Sequence, residues 1–151
     1  ALAGNGCYID LTAFPVEDGE DAWSATEGLQ RYLASGAPAD RVTISSDAGG
    51  CLPCFDAEGR VSSMDVGHSG ALLETLRALA DGGMPLETAL PAFTANPARL
   101  LRLARKGRVE AGADADLVAL DATGGAHTVI IRGEIHVREG QAVRRGTFEN
   151  R

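Results

Sequence analysis

The stretch of residues 41–53 carries the side chains whose types and spacing are best suited to chemistry. A β-branched, apolar run at residues 42–46 leads to Asp47, and Gly49 and Gly50 follow almost at once. This pattern predicts a buried strand that delivers a carboxylate to a flexible loop, which is where α/β enzymes place catalytic side chains. The same residues also fit a turn that Asp47 caps, and the stretch alone does not decide between the two.

A second acidic candidate lies at the end of an earlier strand. Residues 7–12 form a short apolar and β-branched run that is followed by Pro15, which predicts a buried strand. Asp10 and Thr12 would stand at its exit, as Asp47 does at the exit of the next strand. A carboxylate in that position can also cap a helix or form a turn, so both interpretations stay open for Asp10.

The histidines and cysteines do not form a recognisable metal or redox motif. His68, His127 and His136 lack the H-x-H and H-E-x-x-H spacings of metal sites. His68 is interpreted as a solvent-facing residue at a helix start, and the other two as structural. Cys51 and Cys54 have the spacing of a redox or zinc pair, but a second pair is lacking and a loop is expected there.

Helices are predicted around and after these strands, at about residues 20–35, 68–82, 85–93 and 96–107. Asn96 is the expected N-cap of the last helix, and Pro91 should kink the one before it. From Asp47 to Gly67 a long loop is expected, with a turn at residues 56–59. A loop of this length is usually a functional lid or a disordered segment, and the glycines of this loop and its position after Asp47 favour a lid.

After Gly107 the pattern changes to short strands. Val109 and the runs at 115–121, 128–131, 134–137 and 141–143 predict a small β-layer, with Gly133 and Gly140 at hairpin turns.

The alternation of strand and helix in the first part predicts an α/β domain with parallel strands. Right-handed crossovers would put Asp10, Thr12 and Asp47 at the same carboxyl edge of the sheet. Two parallel strands cannot close a barrel or form a sheet that is covered on both faces. The chain is therefore expected to be the end of a larger domain.

Composition limits the classes of function. The chain has 151 residues, 44% of them hydrophobic, so it can bury a core and disorder is not expected. A net charge of −7 argues against a nucleic-acid or anionic-membrane partner. The densest basic cluster, residues 102–108, fits a helix end as well as a binding patch. An odd count of 3 cysteines indicates a reducing, cytoplasmic setting, and the apolar runs are too short to span a membrane.

Several stretches together resemble a known family. They are residues 8–12 (YIDLT), 45–53 (SSDAGGCLP), 94–99 (TANPAR), 106–118 (KGRVEAGADADLV) and 145–149 (RGTFE). In this order they resemble the amidohydrolase superfamily and, within it, the isoaspartyl dipeptidase (β-aspartyl peptidase) family.

The resemblance implies the C-terminal part of a (β/α)8 barrel of the TIM type followed by part of a small β-sandwich. Residues 1–107 would hold the last two barrel strands with their helices, and residues 108–151 would belong to the sandwich. The missing N-terminal part of the barrel would then be needed as a partner, and the chain alone is expected to be inactive. Family enzymes tend to form homo-oligomers, which is also expected here.

The resemblance further implies a binuclear zinc centre and a small dipeptide substrate. Asp47 would be a metal ligand and the proton shuttle, while a metal-bound hydroxide attacks the side-chain amide of an isoaspartyl dipeptide. Gly49, Gly50 and Cys51 would bind the substrate. Cys51 stands where the family commonly has a serine, and its thiol is a poorer hydrogen-bond donor.

Parts of the family pattern have no counterpart in this sequence. These are the H-x-H pair, the bridging carboxylate and two further histidines, and Ala48 also replaces a usual glycine. A hydrolase that acts on another amide or cyclic amide, and a non-catalytic remnant of the fold, are therefore kept as alternatives.

Overall fold

The computed structural model describes residues 2–16, 22–56 and 58–146. The chain has a mixed α/β fold, as predicted, and divides into two compact units, Ala1–Pro97 and Ala98–Arg151. Within the described ranges, the helices are too short or too polar to cross a membrane.

The first unit contains two strand pairs and the helices that follow them. Its strands are β1 (Ile9–Thr12), β2 (Val42–Ser45), β3 (Cys51–Phe55) and β4 (Val61–Val66). The helices are α1 (Ala25–Ala34), α2 (Ala71–Asp81), α3 (Leu86–Ala89) and α4 (Ala95–Leu100), and the boundary between the units falls within α4. Short 3-10 turns occupy Ala3–Asn5, Ala39–Arg41 and Leu90–Ala92.

Strands β1 and β2 run parallel, which confirms the arrangement predicted from the alternation of strand and helix. Their register places Asp10 beside Thr43, and paired residues of neighbouring strands point to the same face. Leu11 packs on α1, where a Cβ added to Gly28 would lie 3.2 Å from it. The pair therefore has an apolar face toward α1 and a polar face that carries Asp10, Thr43 and Ser45.

A compact apolar core lies among α1, α2 and β2. Leu29 of α1 and Val42 of β2 are each 1% exposed, and Leu79 of α2 is fully buried. The other buried members are Ala13, Ala25, Ile44, Ala71, Leu76, Ala89 and Ala92. Because most of these are alanines, helices and strands can approach closely, and this packing holds β2 in place.

Helix α1 begins at Ala25, later than the predicted start near residue 20. Ser24 is its N-cap, and the Ser24 hydroxyl oxygen accepts a hydrogen bond from the Glu27 N–H at 3.2 Å. A Ser-x-x-Glu spacing is a helix-start signal, so the sequence did contain the boundary. Residues 17–21, which include the predicted start, lie outside the described ranges.

The long loop predicted up to Gly67 is wrong, because β3 and β4 form an antiparallel hairpin there. The predicted turn at residues 56–59 is confirmed, and the Asp56 carboxylate accepts two main-chain N–H groups in it, at 3.0 and 2.8 Å. Pro53 lies within β3 opposite Met64. Proline argues against a central strand, but both strands of this two-stranded sheet are edges, where proline is tolerated.

Asn96 is not the N-cap that the sequence predicts. It lies inside α4, is 1% exposed, and donates its side-chain amide to the carbonyl oxygens of Ala39 and Val42 at 2.9 and 2.8 Å. Its role is therefore to fix the start of β2. The break predicted at Pro91 is confirmed, because α3 gives way there to a 3-10 turn.

Helix α4 ends at Leu100, before the predicted end at Gly107. The N–H of Leu103 donates to the carbonyl oxygen of Ala98 at 2.8 Å, and Arg102 has a φ of 57°. This is a Schellman C-cap, in which the left-handed residue is usually glycine. Because arginine occupies that place, the sequence offered no signal for the helix end.

The second unit contains an antiparallel sheet of four strands in chain order. They are β5 (Leu117–Leu120), β6 (Ala126–Ile131), β7 (Glu134–Arg138) and β8 (Gln141–Ala142). The turns between the last three have positive φ angles at Arg132 and Gly133 and at Glu139 and Gly140, which is the pattern of type I′ hairpins. The predicted β-layer and its glycine turns are confirmed, whereas Val109 lies outside the strands.

Within the second unit, Arg105 and Lys106 of the basic cluster at residues 102–108 form ion pairs with nearby aspartates. The Lys106 ammonium contacts the carboxylates of Asp114, at 3.0 Å, and of Asp116, and the Arg105 guanidinium contacts Asp114 at 2.7 Å. Hydrogen bonds from Lys106 lower the pKa of both carboxyl groups, and the bond to Asp116 chiefly raises the pKa of Lys106. Arg105 and Lys106 thus stabilise the unit's own turn structure.

Candidate functional site

Asp47 lies two residues beyond the end of β2, in the loop that leads to β3. Its φ of 47° is in the left-handed region, which residues other than glycine rarely adopt and which aspartate tolerates better than most. The side chain is exposed, and within the described part of the chain its carboxylate accepts no hydrogen bond. A carboxylate in this position can take a ligand or a proton.

Two glycines allow the chain to pack closely around Asp47. The Gly50 N–H donates to the Asp47 carbonyl oxygen at 2.8 Å, and a Cβ added to Gly50 would lie 2.6 Å from the Asp47 carboxylate. A Cβ added to Gly67, just beyond β4, would overlap the Asp47 carbonyl oxygen. At Gly50 the space of a Cβ is taken by the Asp47 side chain, and at Gly67 it is taken by the Asp47 main chain. Glycine, which has no Cβ, fits both positions as they stand.

The loop after Asp47 is tied to the end of the β3–β4 hairpin by main-chain hydrogen bonds. The Gly49 N–H donates to the Gly67 carbonyl oxygen at 2.8 Å, and the Gly67 N–H donates to the Gly50 carbonyl oxygen at 3.0 Å. Gly49 adopts a φ of +85° to make this turn. Asp47 and the root of the hairpin thus form one local structure.

Gly49, Gly50 and Cys51, which the sequence predicts to bind substrate, occupy this loop and the first position of β3. The Gly49 N–H is already bonded to Gly67 and the Gly50 N–H to Asp47. These two N–H groups are therefore not free to bind a substrate, but the small size of glycine would let the backbone approach one closely. The Cys51 thiol is exposed and is a weak hydrogen-bond donor. A role in substrate binding stays a prediction for all three.

A second carboxylate lies on the polar face of the β1–β2 pair. Asp10 accepts hydrogen bonds from the Thr43 hydroxyl at 2.6 Å and from the Ser45 hydroxyl at 2.5 Å. Thr43 is 3% exposed, and a buried hydroxyl requires a partner. Thr12, the other polar residue predicted at this strand exit, lies beside Ser45 in the register. Asp10 is therefore attached to the strand that leads to Asp47.

The described residues contain no group of three or more histidine, cysteine, aspartate or glutamate side chains that could hold a metal ion. A catalytic zinc commonly takes three protein ligands, and the carboxylate oxygens of Asp47 are suited to supply one of them. Asp47 could therefore contribute at most one ligand to a metal centre that other residues complete.

Two of the histidines in the described ranges, His68 and His127, have side-chain partners nearby in the sequence. His68 Nε2 lies 3.9 Å from a carboxylate oxygen of Glu74 in α2, and both side chains are exposed. His127 Nδ1 lies 3.0 Å from the hydroxyl oxygen of its neighbour Thr128. The exposure of His68 agrees with the prediction that it faces solvent, whereas a structural role stays a prediction for His127 and His136.

The sequence reasoning missed Gly67 and the partners of Asp10. An isolated glycine at the end of a strand-like run often marks a close backbone approach, which was the available signal for Gly67. The signal for Thr43 and Ser45 was their alternation with apolar residues in a buried strand, because a period of two places them on one face.

Comparisons with known proteins gave consistent matches. The sequence model described as "Amidohydrolase family" matches residues 21–136. A β-aspartyl dipeptidase from the thermophilic, keratin-degrading Fervidobacterium islandicum AW-1, in complex with a β-Asp-Leu dipeptide, is 35% identical with a TM-score of 0.82. The match covers 97% of this chain and 37% of that chain. A second structure of the dipeptidase from that organism is 30% identical over 97% of this chain and 35% of that one, with a TM-score of 0.76.

A more distant match has a different substrate. An N-acetyl-D-glucosamine-6-phosphate deacetylase from Mycobacterium smegmatis, in complex with N-acetyl-D-glucosamine-6-phosphate, is 25% identical with a TM-score of 0.62. That match covers 90% of this chain and 39% of the deacetylase. This chain thus spans well under half the length of each of these three matched structures.

Proposed function

The chain belongs to the amidohydrolase family, a family of hydrolases, and we propose that the complete protein hydrolyses β-aspartyl (isoaspartyl) dipeptides. The observation that carries this proposal is the exposed carboxylate of Asp47 just beyond the carboxyl end of β2. It lies in a chain that is 35% identical to a β-aspartyl dipeptidase over 97% of its residues. Because the chain spans 37% of that protein, we also propose that the active enzyme contains further residues that supply the rest of the site.

The architecture proposed for the complete protein is a (β/α)8 barrel with a small β-sandwich. Strands β1 and β2 would be its last two barrel strands, which their parallel pairing and the apolar packing of α1 on one face support. The polar face with Asp10 and Thr43 would then point into the barrel, and strands β5–β8 would belong to the sandwich. Active sites of such barrels lie at the carboxyl ends of the strands, the end at which Asp47 lies.

Asp47 is proposed to carry the proton during hydrolysis. A binuclear zinc centre, to which Asp47 would contribute one carboxylate oxygen, supplies activation of water and polarisation of the amide carbonyl when bound. The Asp47 carboxylate accepts a proton from the attacking water and passes it to the leaving amine. A carbon–oxygen bond forms as the amide carbon–nitrogen bond breaks, and the products are free aspartate and the second amino acid.

The packing around Asp47 supports this role. A Cβ added to Gly50 would lie 2.6 Å from the Asp47 carboxylate, and the Asp47 carbonyl oxygen accepts the Gly50 N–H, so the main chain of Asp47 is held within its own loop. The proposed substrate contacts are the backbone of Gly49 and Gly50 and the thiol of Cys51. A preorganised acid–base group loses less rate to reorientation than a mobile one does.

A second candidate is a hydrolase of the same family that acts on another amide. Its support is the 25% identity, over 90% of the chain, to a deacetylase that acts on an N-acetylated sugar phosphate. The thiol of Cys51, in the place of the serine expected from the dipeptidase resemblance, also bears on substrate choice. The two candidates share the chemistry at Asp47 and differ in the substrate.

The test is turnover by the purified complete protein with three substrates in parallel. β-Asp-Leu should be cleaved to aspartate and leucine, whereas α-Asp-Leu and N-acetylglucosamine-6-phosphate should not. Cleavage of the sugar phosphate alone would select the second candidate, and cleavage of none would overturn the assignment as a β-aspartyl dipeptidase. Elemental analysis of the same sample measures the zinc content.

The variant Asp47→Asn tests the residue assignment. It keeps the size of the side chain and removes the proton acceptor, so turnover should fall by at least about 1,000-fold while the circular dichroism spectrum is unchanged. The matched control is Asp121→Asn. The Asp121 carboxylate accepts hydrogen bonds from the main chain of Thr123 and Gly125 in the second unit, and its loss should leave turnover within about twofold.

A further inference from the structure

Asp10 joins β1 to the strand that leads into the candidate site. One of its carboxylate oxygens accepts the Thr43 hydroxyl at 2.6 Å and the other accepts the Ser45 hydroxyl at 2.5 Å. Both contacts cross from β1 to β2, and a charged acceptor makes them stronger than hydrogen bonds between neutral groups. Asp10 therefore attaches β1 to β2 at two positions, Thr43 and Ser45.

The attachment is located where the β ladder ends. Beyond Ser45 the last main-chain link between the two segments is the hydrogen bond from the Ala13 N–H to the Ser45 carbonyl oxygen, at 2.7 Å. Asp47 follows two residues later with its left-handed φ of 47°. An unusual backbone conformation persists only when its surroundings hold it, and Ser45 is the last point of β2 that is held from β1.

We propose that Asp10 is a positioning residue that fixes the carboxyl end of β2 through Ser45 and thereby sets the place of Asp47. The catalytic consequence rests on the proposed function, in which Asp47 carries the proton. A purely structural explanation would be that Asp10 only satisfies the buried Thr43 hydroxyl. The bond to Ser45 separates the two explanations, because it lies at the end of the strand and serves no fully buried group.

The kinetic test uses the complete protein with β-Asp-Leu. Asp10→Ala should lower kcat by about 10- to 100-fold with KM changed by less than about threefold, since a displacement of about 1 Å is enough for such a loss. Asp10→Asn should restore most of kcat, because an amide can bond both hydroxyl groups. Ser45→Ala should reproduce the loss, and Asp10→Ala combined with Ser45→Ala should add little to it.

The structural explanation makes a different prediction in the Thr43→Val background. There the buried hydroxyl is gone, so Asp10→Ala would have no further effect on kcat if Asp10 served only Thr43. The positioning role requires that kcat still falls. Asp121→Ala is the control, since it removes a carboxylate that accepts hydrogen bonds in the other unit, and its kcat should stay within about twofold of wild type.

Crystal structures of the wild-type protein and of Asp10→Ala provide the readout that does not depend on turnover. The main chain of residues 45–47 should shift by about 1 Å or more, with Asp47 leaving its left-handed φ. If that segment superposes on the wild type, or if kcat is unchanged while only the melting temperature falls, the positioning role is overturned. An inactive wild-type protein would instead refute the proposed function, and the crystal structures would still decide the role of Asp10.

Discussion

The side-chain amide of Asn96 donates a hydrogen bond to the carbonyl oxygen of Val42 at 2.8 Å, across a separation of 54 positions in the chain. The same amide holds the carbonyl oxygen of Ala39 at 2.9 Å. These bonds fix the start of β2, and the bond from the Ser45 hydroxyl to Asp10 holds its other end. The strand that precedes Asp47 is therefore secured at both ends by polar side chains.

Removing the Asn96 amide should destabilise the first unit. Asn96→Ala removes the side-chain partner of the Ala39 and Val42 carbonyl oxygens. Val42 is buried, and an unsatisfied buried group costs about 1–3 kcal/mol. The expected result is a lower urea midpoint for the complete protein. Asn96→Asp should be at least as harmful, because a carboxylate cannot donate to a carbonyl oxygen.

The matched control for Asn96 is Asn5→Ala. Asn5 is exposed at the end of a 3-10 turn, and exposed substitutions usually change stability by less than about 0.5 kcal/mol. Equal urea midpoints for Asn5→Ala and Asn96→Ala would contradict the role assigned to Asn96.

The glycines around Asp47 should respond differently to alanine. In Gly67→Ala the new Cβ meets the Asp47 carbonyl oxygen, which is main chain, so the variant should lose about 1–3 kcal/mol of stability through overpacking. In Gly50→Ala the new Cβ meets the Asp47 carboxyl group, which can rotate away. That variant should keep most of its stability and lose kcat.

Melting temperature and kcat for β-Asp-Leu together measure this contrast. Gly4→Ala is the control, because a Cβ at that position has no neighbouring atom within 4 Å. Wild-type kcat in Gly50→Ala would mean that the observed position of the Asp47 carboxylate is not needed for the reaction.

Cys51→Ser should favour the β-aspartyl substrate. The hydroxyl is a better hydrogen-bond donor than the thiol, and Cys51 is exposed at the first position of β3, so KM for β-Asp-Leu should fall while kcat changes little. Cys7→Ser is the control, since Cys7 is also exposed and free and lies before β1. A KM that is unchanged in Cys51→Ser, or lowered equally in Cys7→Ser, would remove Cys51 from the proposed substrate contacts.

The parallel pair and the place of Asp47 could be predicted because their signals are local. A β-branched run that ends in a carboxylate and glycines is visible within residues 42–50, and the alternation with helices implies parallel strands. The hairpin turns at Gly133 and Gly140 were predictable for the same reason, since glycine at a positive φ is the feature that a type I′ turn demands.

What could not be predicted depends on contacts between distant residues or on exceptions to local preferences. The bonds of Asn96 to Val42 and of Asp10 to Ser45 require the tertiary fold, and a local reading makes Asn96 a cap. The end of α4 at Arg102 is an exception, because a non-glycine residue takes the left-handed position. The β3–β4 hairpin was hidden by Pro53, although a short glycine-containing turn between two runs is a hairpin signal.

The ion pairs of Lys106 make the stability of the second unit depend on pH. Hydrogen bonds from Lys106 hold the pKa of Asp114 and of Asp116 below the usual range, so the folded state favours the ionised carboxylates. A depressed carboxyl pKa contributes stability above the unfolded value of about 3.9, and this contribution is lost as the pH falls through the folded pKa. The raised pKa of Lys106 keeps its charge in place throughout the neutral range.

Lys106→Gln should therefore lower the melting temperature at pH 7. The difference from wild type should begin to shrink near the unfolded pKa of about 3.9 and should vanish as the pH falls through the lower folded pKa of Asp114 and Asp116, where the wild-type carboxylates become protonated as well. Asp116 also accepts the Arg132 N–H at 2.7 Å in the β6–β7 turn, so the variant should loosen that turn and raise its hydrogen exchange. Arg60→Gln is the control, since it breaks exposed pairs with Asp56 and Glu58 within one turn, which contribute little. A melting-temperature difference that stays constant from pH 7 to pH 3 would show that Lys106 acts through packing instead of charge.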